Sequence, residues 1–113
     1  MAGRITRGDV RLYQFASADK KRPVVVLTRD SVITYLSTVT VAPTTSAIRG
    51  VPSEVVLNED DGMKASCAVN LHNTITVPQR RLGRRVAHLS SSRMSEICAA
   101  LRFSLGCDDI TLH

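Results

Sequence analysis

The chain has 113 residues, 43% of them apolar, and 15 Lys and Arg stand against 10 Asp and Glu for a formal net charge of +5. That is enough apolar material for one core and too much for a disordered tail, and no run approaches the ~18–20 apolar residues of a membrane-crossing helix. We therefore expect one domain over residues 1–113 with no membrane association, in the cytoplasm because "MAGRITRGDV" lacks the apolar stretch of a leader.

In chain order, "GDVRLYQF" (8–15) alternates and reads as a first strand. "PVVVLT" (23–28) is β-branched and nearly continuous, as a central strand should be, with Pro23 tolerated at its first residue. "LSTVTVAP" (36–43) reads as a strand that stops at its proline, and "TTSAIRG" as a polar loop. "SEVVLN" is a short strand, "DDGMK" a turn with Gly62 left-handed, and "ASCAVNL" and "RLGRRVAHL" two more strands. Only the end reads as helix. Met94, Ile97, Cys98, Leu101 and Leu105 recur at helical spacing, serines 90–92 can cap the start, and Gly106 sits where the helix should stop. Arg93, Glu96 and Arg102 then face water. Short strands with brief turns, closed by one helix, suggest a small, mainly β barrel or roll.

The residues that carry chemistry are few. Cys67, Cys98 and Cys107 lack the paired spacing of a structural zinc site, and Cys67 with His72 is too small a ligand set, so no metal or cofactor is expected and the thiols read as reduced. Two Tyr, two Phe and no Trp are too few for an aromatic base-stacking platform. The basic balance still suggests a polyanion partner, and the cations are clustered, at Arg4/Arg7/Arg11, Lys20/Lys21/Arg22 and Arg80/Arg81/Arg84/Arg85.

Two stretches stand out. In "DKKRPVVVL", Arg22 precedes a proline that pushes its backbone toward extended geometry, so its guanidinium projects from a stiff strand end. A fixed fork of donors suits a phosphate, although Arg22 could instead pair with Asp19 or lie along the surface. In "VTVAPTTSAIRG", a strand end is followed by Thr44, Thr45 and Ser46, three hydroxyls able to donate to phosphate oxygens, and by Arg49. Taken alone, that stretch also fits an ordinary Thr/Ser-rich turn.

Together with "RGDV" and "LGRRVAHLSSSRMSEICAAL", these stretches occur in the order and rough spacing of the MazF/PemK family of toxin endoribonucleases, which the sequence closely resembles over most of its length. The resemblance implies an SH3-like barrel with a C-terminal helix and a symmetric homodimer. It also implies metal-free, sequence-specific cutting of single-stranded RNA to a 2′,3′-cyclic phosphate and a 5′-hydroxyl. The partner it implies is a MazE-like antitoxin with an acidic segment. The family's catalytic arginine falls on Arg22 and its threonine on Thr45, with Thr44 one residue away. Lys20, Lys21, Ser46 and Arg49 would position the RNA backbone, and Asn70 and Asn73 would read bases. Family members often carry an acid where this chain has His72, which could act as a base, touch a nucleobase or lie idle. His88 and His113 look incidental. Two other functions are compatible with such a barrel: a CcdB-like gyrase poison, for which the required tryptophan is missing, and a catalytically silent RNA-binding barrel.

Overall fold

The computed structural model of the protein describes residues 4–107. Seven strands run β1 Asp9–Tyr13, β2 Arg22–Val26, β3 Thr38–Thr45, β4 Glu54–Leu57, β5 Cys67–Asn70, β6 Ile75–Pro78 and β7 Arg85–His88. A one-turn helix α1, Asp30–Ile33, follows β2, and helix α2, Ser91–Leu105, closes the described chain. The strands form a curled, fully antiparallel sheet in the order β4-β5-β3-β2-β1-β7, with β6 beside the first half of β3.

β3 does not stop at Pro43 as its sequence suggested. Its last ladder pair with β6 is Val41 with Ile75, and its first with β5 is Thr44 with Val69. Pro43 falls in the gap between those two partners, where no backbone donor is needed on that edge. The strand therefore carries on, and Thr44 and Thr45 sit on it instead of being released into a loop. Two elements escaped the sequence reading. β6 holds a single fully buried side chain, Val77, and α1 is too short to show a helical stripe.

Both faces of the β2–β3 region are buried, which explains the unbroken "VVV". Val25 and Ala42, with Val55, Leu57 and Val69, pack on one side with Ile97 and Ala100 of α2. Val24, Val26, Val39 and Val41 point the other way, into a second cluster with Tyr13, Ile33, Val77 and Leu82. Each fully buried Val, Leu or Ile among these stabilises the fold by ~1.5–3 kcal/mol before entropy is counted. Toward β4 and β5 this second face opens, and Val56 there is exposed.

Helix α2 is capped as expected: the Ser90 side chain accepts from Arg93 N–H, and Gly106 ends it in the left-handed region. Its apolar stripe is shorter than expected. Leu105 is 65% exposed, because the helix runs past the sheet it packs on. Arg93 does not simply face water; it donates Nε and one terminal nitrogen to the Asp61 carboxylate at 3.0 and 3.1 Å, tying α2 to the turn before Gly62. Burial alone would raise the Asp61 pKa, but the Arg93 bond, the Asn58 N–H and the Arg93 charge together hold it below the usual carboxylate value.

The "RGDV" motif is structural. Asp9 has no exposed surface, and its carboxylate accepts from Thr6 N–H, Thr6 Oγ1, Arg11 Nε and His88 Nδ1. Desolvation pushes its pKa up, yet those hydrogen bonds outweigh burial and leave it below the ordinary carboxylate range. Arg11, 2% exposed, also donates to the carbonyls of Gly83 and Arg4. Arg7 donates to Leu27 O and Cys98 Sγ, pinning α2 to the end of β2. His88, which looked incidental, clamps β7 to β1 through Asp9.

Candidate active site

Arg22 opens β2 and Thr45 ends β3. The two strands pair Val24 with Pro43, and the same register continued two residues toward their ends sets Arg22 opposite Thr45. Opposed residues of an antiparallel pair share a face. Alternation assigns that face: Val25, Ala42 and Val69 belong to the α2 side, so Arg22, Pro43, Thr45, Asn70 and Glu54 belong to the side that opens toward β4.

This distinguishes the two threonines. Thr44 is buried, and its hydroxyl donates to the Pro23 carbonyl at 2.9 Å. Thr45 is partly open, and its Oγ1 accepts from Ala47 N–H at 3.1 Å. Thr44 has committed its only proton; Thr45 has fixed its oxygen and keeps its proton for a ligand.

Arg22 is exposed, and its side chain makes no hydrogen bond or ion pair among the described residues, Asp19 included. The approach to it is nonetheless shaped. The Gln14 side-chain amide donates to Ser17 O and Asp19 O at 3.1 and 2.8 Å, and Tyr13 meets Phe15 edge-on, folding the loop between β1 and β2 back on itself.

Arg22, Thr44 and Thr45 border two cavities. One, of about 300 Å³, also has Pro43, Ala47, Arg49, Glu54, Asn70, His72 and Asn73 around it. The other, of about 270 Å³, extends past Ser46 to Met63, Lys64, Ser66 and Cys67. The sequence-derived candidates Arg22, Thr44, Thr45, Ser46, Arg49, Asn70, His72 and Asn73 thus border two cavities that share Arg22, Thr44 and Thr45. Lys21 borders a separate cavity with Tyr13, Gln14 and Arg81, and Lys20 lies exposed in the loop. Both precede the first residue of β2, outside the ladder that fixes Arg22.

His72 is held at two points. Its Nδ1 lies 2.6 Å from the buried Ser53 Oγ, and its backbone N–H donates to Asn70 Oδ1. Glu54, Ser53 and Lys64 were not singled out in the sequence. Only the cross-strand pairing of Glu54 with Asn70 reveals the first, and only the turn at Gly62 brings Lys64 to Arg22. Cys67 is half-buried, and burial and the Asp61 charge push its thiol pKa up, which keeps it protonated and unreactive. No group of three or more His, Cys, Asp or Glu side chains gathers as a metal cluster among the described residues.

A guanidinium without a partner and a hydroxyl with an uncommitted proton, both bordering the same cavities, are groups suited to a phosphate. Comparison with known proteins gives the family. Residues 6–105 match the model of the family described as PemK-like, MazF-like toxin of type II toxin-antitoxin system. The chain belongs to that family. It is 37% identical to endoribonuclease MazF3 of Mycobacterium tuberculosis over 92 residues, covering 81% of this chain and 89% of that one. It is 41% identical to the probable endoribonuclease MazF5 of the same species over 102 residues, 89% of this chain and 93% of the relative. Among solved structures, the Mycobacterium tuberculosis toxin MazF-mt6 superposes with a TM-score of 0.79 at 34% identity, over 87% of this chain and 96% of that one. A mycobacterial endoribonuclease solved with its cognate antitoxin superposes at 0.82 over 91% and 96% of the two chains; at 21% identity it speaks for the fold alone.

Proposed function

We propose that this toxin-family protein is an endoribonuclease that cuts single-stranded RNA, with Arg22 and Thr45 acting on one phosphodiester. The observation that carries the reading is their position across two strand ends, between cavities that leave room for a nucleotide on either side. Attack of the 2′-hydroxyl on the adjacent phosphorus gathers negative charge on the nonbridging oxygens. A preorganised guanidinium that has nothing else to neutralise stabilises that charge, and the bond to Ala47 orients Thr45 to donate to the same oxygens. Expulsion of the 5′-oxygen, which takes a proton from solvent water, leaves a 2′,3′-cyclic phosphate and a 5′-hydroxyl.

Proton removal from the 2′-hydroxyl falls to His72 in this scheme. Arginine stays protonated and is a poor base. For His72 to accept through Nε2, its Nδ1 must carry the proton and donate to Ser53 Oγ, which the 2.6 Å contact accommodates. Arg49, Lys64 and Ser46 hold the RNA backbone on either side of the cut.

The partners follow from the same surface. An acidic antitoxin segment would neutralise the unpaired cations around these cavities, and the exposed Phe103 and Leu105 at the end of α2 offer apolar surface to a second copy. No helix among the described residues is long and apolar enough to cross a membrane, and the cytoplasm is the compartment where the substrate lies.

The test is incubation of purified protein with mixed-sequence RNA in EDTA, followed by mapping of product ends. Cleavage with 5′-hydroxyl ends, lost in Arg22→Ala, is expected. Intact RNA that is still bound would return the protein to a silent RNA-binding barrel, and intact RNA with inhibited gyrase would make it a topoisomerase poison.

A further inference from the structure

Glu54 is a carboxylate in a cavity otherwise furnished for a polyanion, bordered by Arg22, Arg49, Asn70, His72 and Asn73. A negative charge there repels phosphate, so its presence calls for a compensating use. Neutralising a neighbouring arginine is not that use: Glu54 makes no ion pair among the described residues.

Its two oxygens have different surroundings. Oε1 accepts from two successive backbone groups, Arg49 N–H and Gly50 N–H, both at 3.0 Å. Gly50 itself takes φ +74°, a region open to glycine, and the two N–H groups fasten the 46–53 loop around the carboxylate. Oε2 has no partner among the described residues. Glu54 lies directly across from Asn70 in the β4–β5 register, on the open face. One oxygen is thus spent on the loop, and the other is a fixed acceptor in the wall that Asn70 and Asn73 also form.

We infer that Glu54 is a specificity-determining residue that selects, at one position beside the cut, a nucleobase bearing an amino group and rejects uracil. The inference rests on the nuclease reading above and deepens it. Single-stranded RNA exposes its base edges to such a wall, and a carboxylate oxygen accepts from cytosine N4, adenine N6, or guanine N1 and N2. Uracil offers only N3–H, flanked by two carbonyl oxygens that repel a carboxylate. The division of labour between the oxygens also makes the isosteric variant informative. In Glu54→Gln the amide oxygen still faces the two loop N–H groups, and the NH₂ takes the place of Oε2. The loop stays fastened while an acceptor becomes a donor.

The experiment has two readouts on a randomised single-stranded RNA library. The first is cleavage-site sequencing with the wild type and Glu54→Gln. The second is selection of bound sequences by Arg22→Ala, with and without Glu54→Gln, which needs no cutting. Uracil should be depleted about tenfold or more at one position near the cut in the wild type, the size expected of one good base contact. Glu54→Gln should move that position toward uracil or guanine, whose carbonyls accept from the amide, in both readouts. The same base profile in both forms, or a wild type that accepts uracil at every position near the cut, overturns the inference. Failure to cut combined with Glu54-dependent selection among bound sequences would overturn the catalytic assignment and keep this one.

Discussion

Arg11 and Arg22 lie on neighbouring strands, both beside the same core, and their surroundings are opposite. Arg11 is 2% exposed and saturated, with Asp9, Gly83 O and Arg4 O around it. Arg22 is exposed and rooted ahead of Pro23 in β2, and its side chain makes no hydrogen bond or ion pair among the described residues. A guanidinium whose donors the protein satisfies itself contributes to the fold. One placed with equal care and left open is available to a ligand.

The contrast can be broken by mutation. Asp9→Ala leaves Arg11 buried beside a lost counter-charge, and denaturant unfolding should show a loss of about 3–5 kcal/mol. The pH dependence carries the same signature. The folded-state pKa of Asp9 lies below its ordinary 3.8, so the stability it contributes is complete above that value and drains as pH falls through the folded-state pKa. Asp9→Ala should remove part of that acid sensitivity, and an unaltered acid-unfolding curve would count against the network.

Arg22→Ala should do the reverse. Loss of one preorganised donor to a developing oxyanion costs about 10²–10³ in single-turnover cleavage, while unfolding free energy stays within ~0.5 kcal/mol of wild type. A variant that fails to fold would place Arg22 with Arg11 instead. The two threonines divide in the same way on a smaller scale. Thr45→Val should slow cleavage by about tenfold or more, since the bond lost in the transition state goes to a charged phosphate, and should cost little stability, since the Ala47 N–H it releases is exposed. Thr44→Val strands the Pro23 carbonyl and should cost about 1 kcal/mol of stability, with less effect on cleavage than Thr45→Val. Smallest of all, Arg49→Ala should reduce the slope of log K against log salt by about 0.7, the contribution of one phosphate contact on a single strand. Lys21→Ala, facing another cavity, should alter the slope less.

How much of this was readable in advance depended on the kind of information. The unbroken valines of β2, the serine cap and Gly106 stop of α2, and the turn at Gly62 follow from local chemistry, and each was found. The extension of β3 beyond Pro43 was not, because whether a proline ends a strand depends on which neighbour needs its missing N–H. Arg22 and Thr45 were legible as a pair through family resemblance, whereas their facing across β2 and β3 is a matter of register. Register also puts Thr44 and Thr45, which the sequence left as neighbours, on opposite faces, while Lys21 borders a different cavity. Glu54 was invisible for the same reason: its part in the cavity depends on a partner 16 residues further along the chain in the β4–β5 ladder.

The measurement closest to the central claim is a double-mutant cycle on single-turnover cleavage with Arg22→Ala, Thr45→Val and the combined variant. Two groups that stabilise one phosphate in one transition state do not contribute independently. The combined variant should be scarcely slower than Arg22→Ala alone, with a coupling of about 1 kcal/mol or more. Effects that multiply in full would place the two side chains on different linkages and contradict the account.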